Sequence, residues 1–420
     1  MGSDEQPGGA AVTPDAATGS VPPAAADLLG QVSTPLAGLY RRHPQRNLAA
    51  IGDAILAAYR DEGPIRLGPR RGLAVIAVDG LGYCHAHATL TSAELSPLTS
   101  EFPTTTVACL MTSVTRTPAF SHGFIGVQYL HQDGDRLVNC HDGSTEGSGT
   151  GSTGTTPSRR TVTPTFRTIF DALTDAGVLA VALPNELAGL HAEVRDRLLH
   201  GARVLSAFSP DTASLPATTS SPATTDPVRM VAAFADQLTT AIDARPGAMI
   251  WTYLDLDSHV HRHGFDRRAA EAMIALDELA SRLRDAGTSV LVFSDHGLAS
   301  CRPSEATSAA WAQAASARWC RLPPGGAGRV RWLYPHPNQA DRLADLMARQ
   351  FPDAAVVTSD ELADLGFVAA GSVGQRRLGE IVLIATGADF PVPDPEMAYE
   401  HGSMTAEEVL VPMAIWPVIQ

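Results

Sequence analysis

Histidine and aspartate are concentrated in the segment "TYLDLDSHVHRHG" (252–264), which holds three of the chain's 14 histidines. Asp257 and His261 are four residues apart, so on a helical turn their side chains project from the same face. A carboxylate and an imidazole that converge from one turn can bind a zinc ion. Taken alone, the segment is more typical of a polar loop after a strand, because short patterns recur by chance.

Four further residues of the same types lie near the ends of apolar runs. Asp79 ends the run "LAVIAVDG", and Asp295 and His296 end the run "SVLVFSDHG". His401 shortly precedes the run "VLVPMAIW". Each has an ordinary explanation in isolation, as a polar strand end or a buried, hydrogen-bonded histidine. With the aspartate–histidine pair of the first segment, all near predicted carboxyl ends of strands, they are enough for two catalytic metal sites with three protein ligands each.

A candidate nucleophile lies in "EFPTTTVACLMTSV" (101–114), where threonines lead into a helix-like apolar stretch. Thr106 is expected at or near the helix N-terminus, where free N–H groups and the helix dipole favour a phosphoryl oxyanion. A metal-bound threonine hydroxyl can lose its proton near neutral pH. In isolation the threonines are equally consistent with a plain N-cap.

Two other groups of histidines are interpreted without a functional role. His259 and His263 do not match the spacing of Asp257 and His261, so they are interpreted as loop residues. The segment "GYCHAHA" (82–88) is assigned to a helix that follows the first strand.

The elements that would position these residues alternate regularly. Apolar runs at 73–80, 178–184, 248–255 and 289–297 are typical of buried parallel strands. Amphipathic helices are predicted at 45–60, 164–177, 227–242 and 267–287. This alternation predicts a parallel sheet covered by helices on both faces, with ligands bound beyond the carboxyl ends of the strands.

Three segments depart from this alternation. Residues 1–26 have the composition of a disordered tail, and the Gly/Ser/Thr-rich residues 140–160 are predicted to form a mobile surface loop. Residues 329–386 alternate strand, helix, strand, helix and strand, which predicts a small inserted α+β lid subdomain. The catalytic core is then formed by residues 27–328 and 387–420.

The composition excludes several classes of function. The net charge is −14, which argues against binding to nucleic acid duplexes or anionic membranes. All 31 basic residues are arginine, so no lysine Schiff base or P-loop lysine exists. The five cysteines form no CxxC pair, and no signal peptide or membrane-spanning apolar run occurs. The expected compartment is the cytoplasm.

The motifs in this order resemble those of the alkaline phosphatase superfamily, and most closely its type I phosphodiesterase/nucleotide pyrophosphatase branch, which is related to phosphonoacetate hydrolase. The family pattern FPTxT, followed by a helix and HG, fits residues 102–123 and places the family's nucleophile on Thr106. The family's DxxxHxxG and SDHG patterns are also present, the first ending at Gly264. Its metal-binding positions fall on Asp79, Asp257, His261, Asp295, His296 and His401.

The resemblance implies a fold, a metal content and a mechanism. The fold would be an α/β alkaline-phosphatase-like three-layer sandwich with a mostly parallel central sheet and a small inserted subdomain. Two zinc ions per chain are implied. The first would bind Asp79, Asp295 and His296 and activate Thr106, itself a metal ligand. The second would bind Asp257, His261 and His401 and hold the attacking water.

One position departs from the family pattern. Nucleotide pyrophosphatases have a phosphate-binding asparagine shortly after the HG, and the corresponding residue here is Val127. The zinc chemistry does not depend on this residue, but the expectation of a nucleotide substrate is weakened.

The sequence therefore predicts a two-zinc hydrolase of small-molecule phosphate esters, cleaving phosphodiester or pyrophosphate bonds through a phosphothreonine intermediate. Phosphonate C–P hydrolysis and phosphomonoester hydrolysis are alternatives on the same site. A phosphoglycerate-mutase-like isomerase fits less well, because those enzymes use a serine nucleophile and metal-binding lysines or arginines. A catalytically inactive zinc-binding protein is disfavoured by the complete ligand set and by Thr106.

Overall fold

The computed structural model describes residues 21–30, 32, 36–68, 71–131, 134–147, 166–205 and 226–418. Residues 1–20 of the predicted tail lie outside this part of the chain. Pro23–Ala26 form a short helix, α1, in which Ala25 is fully buried. Ala25 belongs to the core cluster of the central sheet, and Val21 packs against that cluster. The boundary of the tail at residue 26 stays a prediction.

In the described part of the chain the central sheet has seven strands; four of its six neighbouring strand pairs are parallel, and the two pairs at one side are antiparallel. The strands are β1 (Leu73–Asp79), β2 (Glu94–Thr99), β6 (Ala180–Leu183), β7 (Arg203–Val204), β8 (Met249–Asp255), β9 (Ser289–Ser294) and β16 (Leu410–Trp416). Their order across the sheet is β2-β16-β9-β1-β8-β6-β7. β16 runs antiparallel to both of its neighbours, so its first residues lie at the edge where β9 ends.

Helices cover both faces of this sheet, which gives three layers. Besides α1, the helices are α2 (Ala49–Ala58), α3 (Tyr83–Thr89), α4 (Thr106–Thr115), α5 (Ala119–His122), α6 (Ile169–Asp175), α7 (Ala192–Leu198), α8 (Pro227–Asp243), α9 (Asp257–His263), α10 (Arg267–Asp285), α11 (Glu305–Ala314), α12 (Ala340–Gln350), α13 (Ser359–Asp364), α14 (Val373–Arg377) and α15 (Ala406–Val409). One face packs against α2, α4 and α6, and the other against α3, α8 and α10. The predicted α/β three-layer architecture is confirmed.

The strand β1 shows why these residues form the centre of the sheet. All seven of its residues are buried. Successive side chains of a strand point to opposite faces, so Val75 and Ala77 pack into one core cluster and Ile76 and Val78 into the other. A strand that is buried on both faces has room for polar chemistry only at its ends, and Asp79 is its last residue.

A second sheet lies beside the central one and is entirely antiparallel. Its strands are β3 (Gln128–Leu130), β4 (Arg136–Asn139), β5 (Thr145–Gly147), β11 (Gly325–Ala327), β12 (Val330–Leu333), β13 (Ala354–Thr358) and β14 (Ile381–Ala385). They are arranged in the order β13-β14-β12-β11-β3-β4-β5. A separate two-stranded ribbon pairs β10 (Ala299–Ser300) with β15 (Tyr399–Glu400).

The predicted lid at 329–386 contains the expected strands and helices, but its sheet extends beyond it. The single pairing of Gly326 with Gln128 joins its strands to β3, β4 and β5. Part of the predicted surface loop is therefore a strand, because β5 pairs through its backbone with β4 and needs no apolar side chain to do so. Residues 148–160 of that prediction lie outside the described residues. The division into core and lid stays a prediction.

Within the described part of the chain, no helix is both long enough and apolar enough to cross a bilayer.

Candidate active site

The six predicted zinc ligands and Thr106 converge at one edge of the central sheet. Asp79 ends β1, Asp295 and His296 directly follow β9, and α9 begins at Asp257, two residues after β8. His401 arrives from the other direction, in the loop that follows β15 and precedes β16. The antiparallel direction of β16 is what brings this late loop to the edge where the parallel strands end.

The first predicted ligand set, with Thr106, is closely grouped. Oxygen and nitrogen atoms of Asp79, Asp295 and His296 all lie within 4.8 Å of one another. The His296 Nε2 atom is 3.4 Å from Asp79 Oδ1 and 3.6 Å from Asp295 Oδ2. The Thr106 hydroxyl lies 3.2 Å from Asp79 Oδ2 and 3.2 Å from His296 Nε2. The nucleophile candidate therefore contacts the ligands that the resemblance assigns to its metal.

The second predicted set is organised by α9. The Nε2 atom of His261 lies 2.8 Å from Asp257 Oδ2, as the spacing of four residues on a helix predicts. The Nε2 atom of His401 is 4.0 Å from the same oxygen. The two sets adjoin, because the rings of His296 and His401 stack with their centroids 3.9 Å apart.

Backbone carbonyls fix the orientation of two of these imidazoles. The Nδ1 atom of His261 is 2.7 Å from the Tyr399 carbonyl, and Nδ1 of His401 is 2.7 Å from the Thr104 carbonyl. Each ring thus turns its Nε2 atom toward Asp257, which suits metal-binding histidines. Gly264 ends α9 with a φ of 68°, and a side chain there would collide with the Tyr399 ring. A glycine at this position therefore lets Tyr399 approach His261.

The ligand carboxyl groups are buried and repel one another. Burial and the neighbouring Asp295 and Asp257 carboxyls hold the pKa of Asp79 well above its usual value. Burial, together with Asp257, raises the pKa of Asp295 to about 7. Burial also opposes ionisation of Asp257, but its contacts with His261 and His401 outweigh burial and lower its pKa. The metal-free cluster therefore favours protonated carboxyls at Asp79 and Asp295, and burial also lowers the pKa values of His296 and His401, so these two imidazoles carry little positive charge at neutral pH.

The helix α4 presents its N-terminus to this cluster. Thr106 is its first residue, and Thr105, the capping residue, has extended backbone angles and makes no side-chain cap bond. The Thr105 hydroxyl is buried without a partner in the described structure. Thr104 instead holds the His401 loop, because its hydroxyl donates to the Ser403 carbonyl at 2.7 Å and accepts the Gly402 N–H at 2.8 Å. The N-cap explanation of the three threonines therefore does not fit this helix.

The histidines that were interpreted without a functional role lie in helices, and two of them make structural contacts. His259 and His263 lie in α9, so their assignment to a loop is wrong; the helix extends through the whole "DSHVHRH" stretch. His259 is buried, with Nε2 2.9 Å from the Asp266 carboxylate that caps α10. The segment "GYCHAHA" forms most of α3, as predicted, and His85 stacks on Phe265.

A cavity of about 570 Å³ opens over the cluster and contains residues that sequence reasoning missed. The hydroxyl of Tyr253 donates to Asp79 Oδ2. Other polar residues of its lining include Gln128 and Asn139, from the second sheet, and the buried Arg331 and Glu400. In the sequence these residues are isolated polar positions in or beside short strands, with no spacing that signals a shared site. Val127 lines the same cavity.

The sequence profile of the family described as "Type I phosphodiesterase / nucleotide pyrophosphatase" matches residues 88–398 of this chain. No curated protein sequence matches it significantly.

Solved structures with a similar fold are more distant in sequence. Murine ectonucleotide pyrophosphatase/phosphodiesterase 5 is 16% identical, with a TM-score of 0.54 over 82% of this chain and 87% of that one. It has also been solved in an inactive form in complex with AMP. Phosphonoacetate hydrolase from Sinorhizobium meliloti 1021, in complex with phosphonoacetate, is 17% identical, with a TM-score of 0.54 over 84% of this chain and 93% of that one. At these identities the similarity shows a shared fold.

Proposed function

The chain belongs to the type I phosphodiesterase/nucleotide pyrophosphatase family, and we propose that it is a two-zinc hydrolase of small-molecule phosphate esters that forms a phosphothreonine intermediate. The observation that carries the proposal is the position of the Thr106 hydroxyl. It lies at the N-terminus of α4 and within 3.2 Å of both Asp79 and His296. A hydroxyl that is surrounded by predicted metal ligands and faces a helix N-terminus is placed for attack on phosphorus.

The chemistry of the donor set fits divalent metal ions. The Oδ1 atom of Asp257 and the Oδ2 atom of Asp295 are buried and have no hydrogen-bond partner within the described residues. Buried carboxylate oxygens are normally paired or bound to metal. Carboxylate oxygens and imidazole nitrogens are the ligands that catalytic zinc uses. The first ion would bind Asp79, Asp295, His296 and Thr106, and the second would bind Asp257, His261 and His401.

Each residue has a defined task in the proposed reaction. When bound, zinc supplies positive charge that lowers the pKa of a coordinated hydroxyl or water and stabilises phosphoryl oxygens. The Thr106 oxygen attacks phosphorus, its proton is directed at Asp79, and the bond from phosphorus to the leaving oxygen breaks. The first N–H groups of α4, which have no intrahelical partner, face the phosphoryl oxygens. Water then cleaves the phosphothreonine and restores Thr106.

The positioning of Asp79 depends on Tyr253. Its hydroxyl donates to the same Asp79 oxygen that Thr106 approaches. This bond holds the carboxylate in one rotamer, with Oδ1 turned toward the other predicted ligand His296.

Hydrolysis of a C–P bond on the same site is the second candidate. Val127 lines the cavity where nucleotide pyrophosphatases have an asparagine, which disfavours a nucleotide. The similar fold of phosphonoacetate hydrolase, solved with phosphonoacetate, makes a phosphonate a natural comparison substrate. The lid function of residues 329–386 and the cytoplasmic location are kept as predictions.

A substrate screen tests the proposal. Purified zinc-loaded protein would be assayed against 4-nitrophenyl mono- and diesters, dinucleotides, nucleotide sugars and phosphonoacetate, with Thr106→Ala as the control. We expect turnover of at least one phosphodiester or pyrophosphate by the native chain and none by the variant. Equal turnover by both would exclude the covalent mechanism, and retained zinc without turnover on any compound would favour an inactive zinc-binding protein.

A further inference from the structure

Arg331 is a buried cationic residue of the second sheet. It lies on β12, and only 7% of its surface is exposed. Its Nε atom is 3.3 Å from the Gly325 carbonyl, and its guanidinium lies over the Trp311 ring at 5.0 Å. Among the described residues it takes part in no ion pair, although Glu400 is near enough to act on it electrostatically.

A neighbouring buried arginine, Arg329, does form an ion pair. Arg329 is also buried, but its Nε atom lies 3.3 Å from the Glu408 carboxylate. Its NH1 atom donates to the carbonyls of Ser300 and Gly387, at 2.9 and 3.0 Å. Because an unpaired buried charge is costly, buried cations are normally paired in this way. No described residue forms an ion pair with Arg331, so a bound anion would offset that cost.

Arg331 lines the cavity that opens over Thr106 and the predicted zinc ligands. Burial lowers its pKa to about 10, so it remains protonated at neutral pH. Two amides of the second sheet, Gln128 and Asn139, line the same cavity. The Asn139 Oδ1 atom accepts the His141 N–H at 2.8 Å, so the amide group of Asn139 is left with its NH₂ as the donor. The second sheet thus contributes hydrogen-bond donors, whereas the edge of the central sheet contributes carboxylates and imidazoles.

We propose that Arg331 binds a second anionic group of the substrate, a carboxylate or a second phosphate that is separate from the reacting phosphoryl group. This inference rests on the proposed function, because it assigns the substrate class of that hydrolase. The planar guanidinium can hold either group through two parallel hydrogen bonds. Esters with a neutral or apolar substituent in that position would leave Arg331 unpaired and would be poor substrates.

Three matched diesters test the substrate class. Ethyl, carboxymethyl and phosphonomethyl 4-nitrophenyl phosphate share one scissile bond and release the same chromophore. For Arg331→Met we expect kcat/KM to fall about 100-fold on the anionic ester that the native enzyme prefers, and by less than about 3-fold on the ethyl ester. On the preferred anionic ester, kcat/KM of Arg331→Lys should lie between the values of the native enzyme and of Arg331→Met. A loss confined to the carboxymethyl or to the phosphonomethyl ester identifies the anion.

Arg318→Met is the matched control, because Arg318 is exposed and also lies over a tryptophan ring. It should leave all three rates within about 2-fold of the native values. Melting temperature and zinc content of each variant check that the fold is intact. An equal loss on all three esters in Arg331→Met would contradict the proposal, and so would a native enzyme that prefers the ethyl ester.

Calorimetry separates this proposal from the hydrolase proposal. The probes are 3-phosphonopropionate and propylphosphonate, which differ by one carboxylate and are not activated for cleavage. If the native zinc-loaded protein hydrolyses no ester but binds the carboxylated probe at least about 10-fold more tightly, and Arg331→Met removes that difference, the anion site stands while the hydrolase proposal fails. Turnover of esters with no effect of Arg331→Met on rates or on the affinity of either probe would overturn the anion site alone.

Discussion

The two sheets of this protein contribute opposite kinds of side chain to one cavity. At the edge of the central sheet, the side chains are carboxylates and imidazoles that face one another. On the second sheet, they are an arginine and two amides, none of which is paired with a carboxylate among the described residues. The difference suggests that reaction chemistry and substrate choice are located on separate structural units. Parallel strands that are covered on both faces offer only their ends for chemistry, whereas an antiparallel sheet can leave the side chains of one face uncovered.

The largest effect should come from the nucleophile, which belongs to the central sheet's side of the cavity. Thr106→Ala removes the attacking oxygen and should lower turnover by about 10⁴-fold or more, whereas Thr106→Ser should retain appreciable activity. Acid-quenched mass spectrometry should find substrate-derived phosphate on Thr106. Thr105→Ala is the matched control, because that hydroxyl is buried but has no partner. Phosphate trapped on Thr105 would refute the assignment.

Removal of a ligand from the central sheet should empty a metal site. Asp257→Ala should reduce zinc from about two ions to about one per chain and abolish turnover, since three protein ligands are the minimum for a catalytic site. Asp255→Ala is the matched control, because its carboxylate binds Ser258 at the start of α9. That variant should lose about 1 kcal/mol of stability and keep its zinc. Full activity of a chelator-treated, metal-free chain would end the zinc mechanism.

A buried ion pair links the second sheet to the edge of the central sheet. Arg329 precedes β12, and its backbone N–H donates to the His401 carbonyl at 2.7 Å while its side chain pairs with Glu408. Arg329→Met leaves Glu408 without its partner and should cost about 3–5 kcal/mol of unfolding free energy. Zinc affinity should also fall, because the His401 loop is disturbed. Arg302→Met, at an exposed position, is the control for thermal unfolding and metal titration.

A smaller effect is expected from the residue that orients Asp79. Tyr253→Phe removes the donor to Asp79 Oδ2 and should weaken zinc binding about 10–100-fold, with little loss of stability. Tyr59→Phe is the matched control, because its hydroxyl is buried without a partner in the described structure. Equal zinc affinities of the two variants, measured by competition with a chelator, would show that Tyr253 does not position the ligand.

The smallest effect concerns pH. Asp257 raises the pKa of His261 to about 10, above its unfolded value, so that pairing stabilises the metal-free protein below pH 6.5 and is lost as the pH rises through 10. The raised pKa of Asp295, about 7, likewise makes the metal-free protein less stable as the pH rises from 4 to 7. Zinc requires these groups deprotonated. The increase in melting temperature on adding zinc should therefore grow from pH 5.5 to 8; a constant increase would contradict the ligand assignment.

The sequence was sufficient to predict the four parallel strands β1, β6, β8 and β9, because their signals are local, but it did not predict the edge strands β2 and β7. An apolar run ending in aspartate, as at Asp79, identifies both a buried strand and its functional end. The spacing of Asp257 and His261 correctly predicted a shared helical turn. The α/β fold and the convergence of these residues follow from such signals and from the rule that parallel strands end at one edge.

Three strands of the second sheet, β12, β13 and β14, were predicted within residues 329–386, but the full extent of the sheet was not, because its pairing joins distant segments. Nothing in the residues around Gln128 indicates that they pair with Gly326. Arg329 and Arg331 are two residues apart and look alike in the sequence, yet one pairs with Glu408 and the other faces the cavity. The role of Tyr253 likewise depends on the three-dimensional position of a side chain that carries no distinctive spacing.

The position of β16 between β9 and β2 has a consequence for biosynthesis. A nascent chain that has already emerged as far as Asp295 and His296 still lacks the strand that joins these two parts of the sheet. His401 also emerges late. Asp79 is therefore synthesised well before the other predicted metal ligands, all of which follow it in the sequence. Zinc binding at the second site would then follow synthesis of the His401 segment. A truncation before Leu410 would produce a chain that contains every predicted ligand but cannot close the sheet that holds them together.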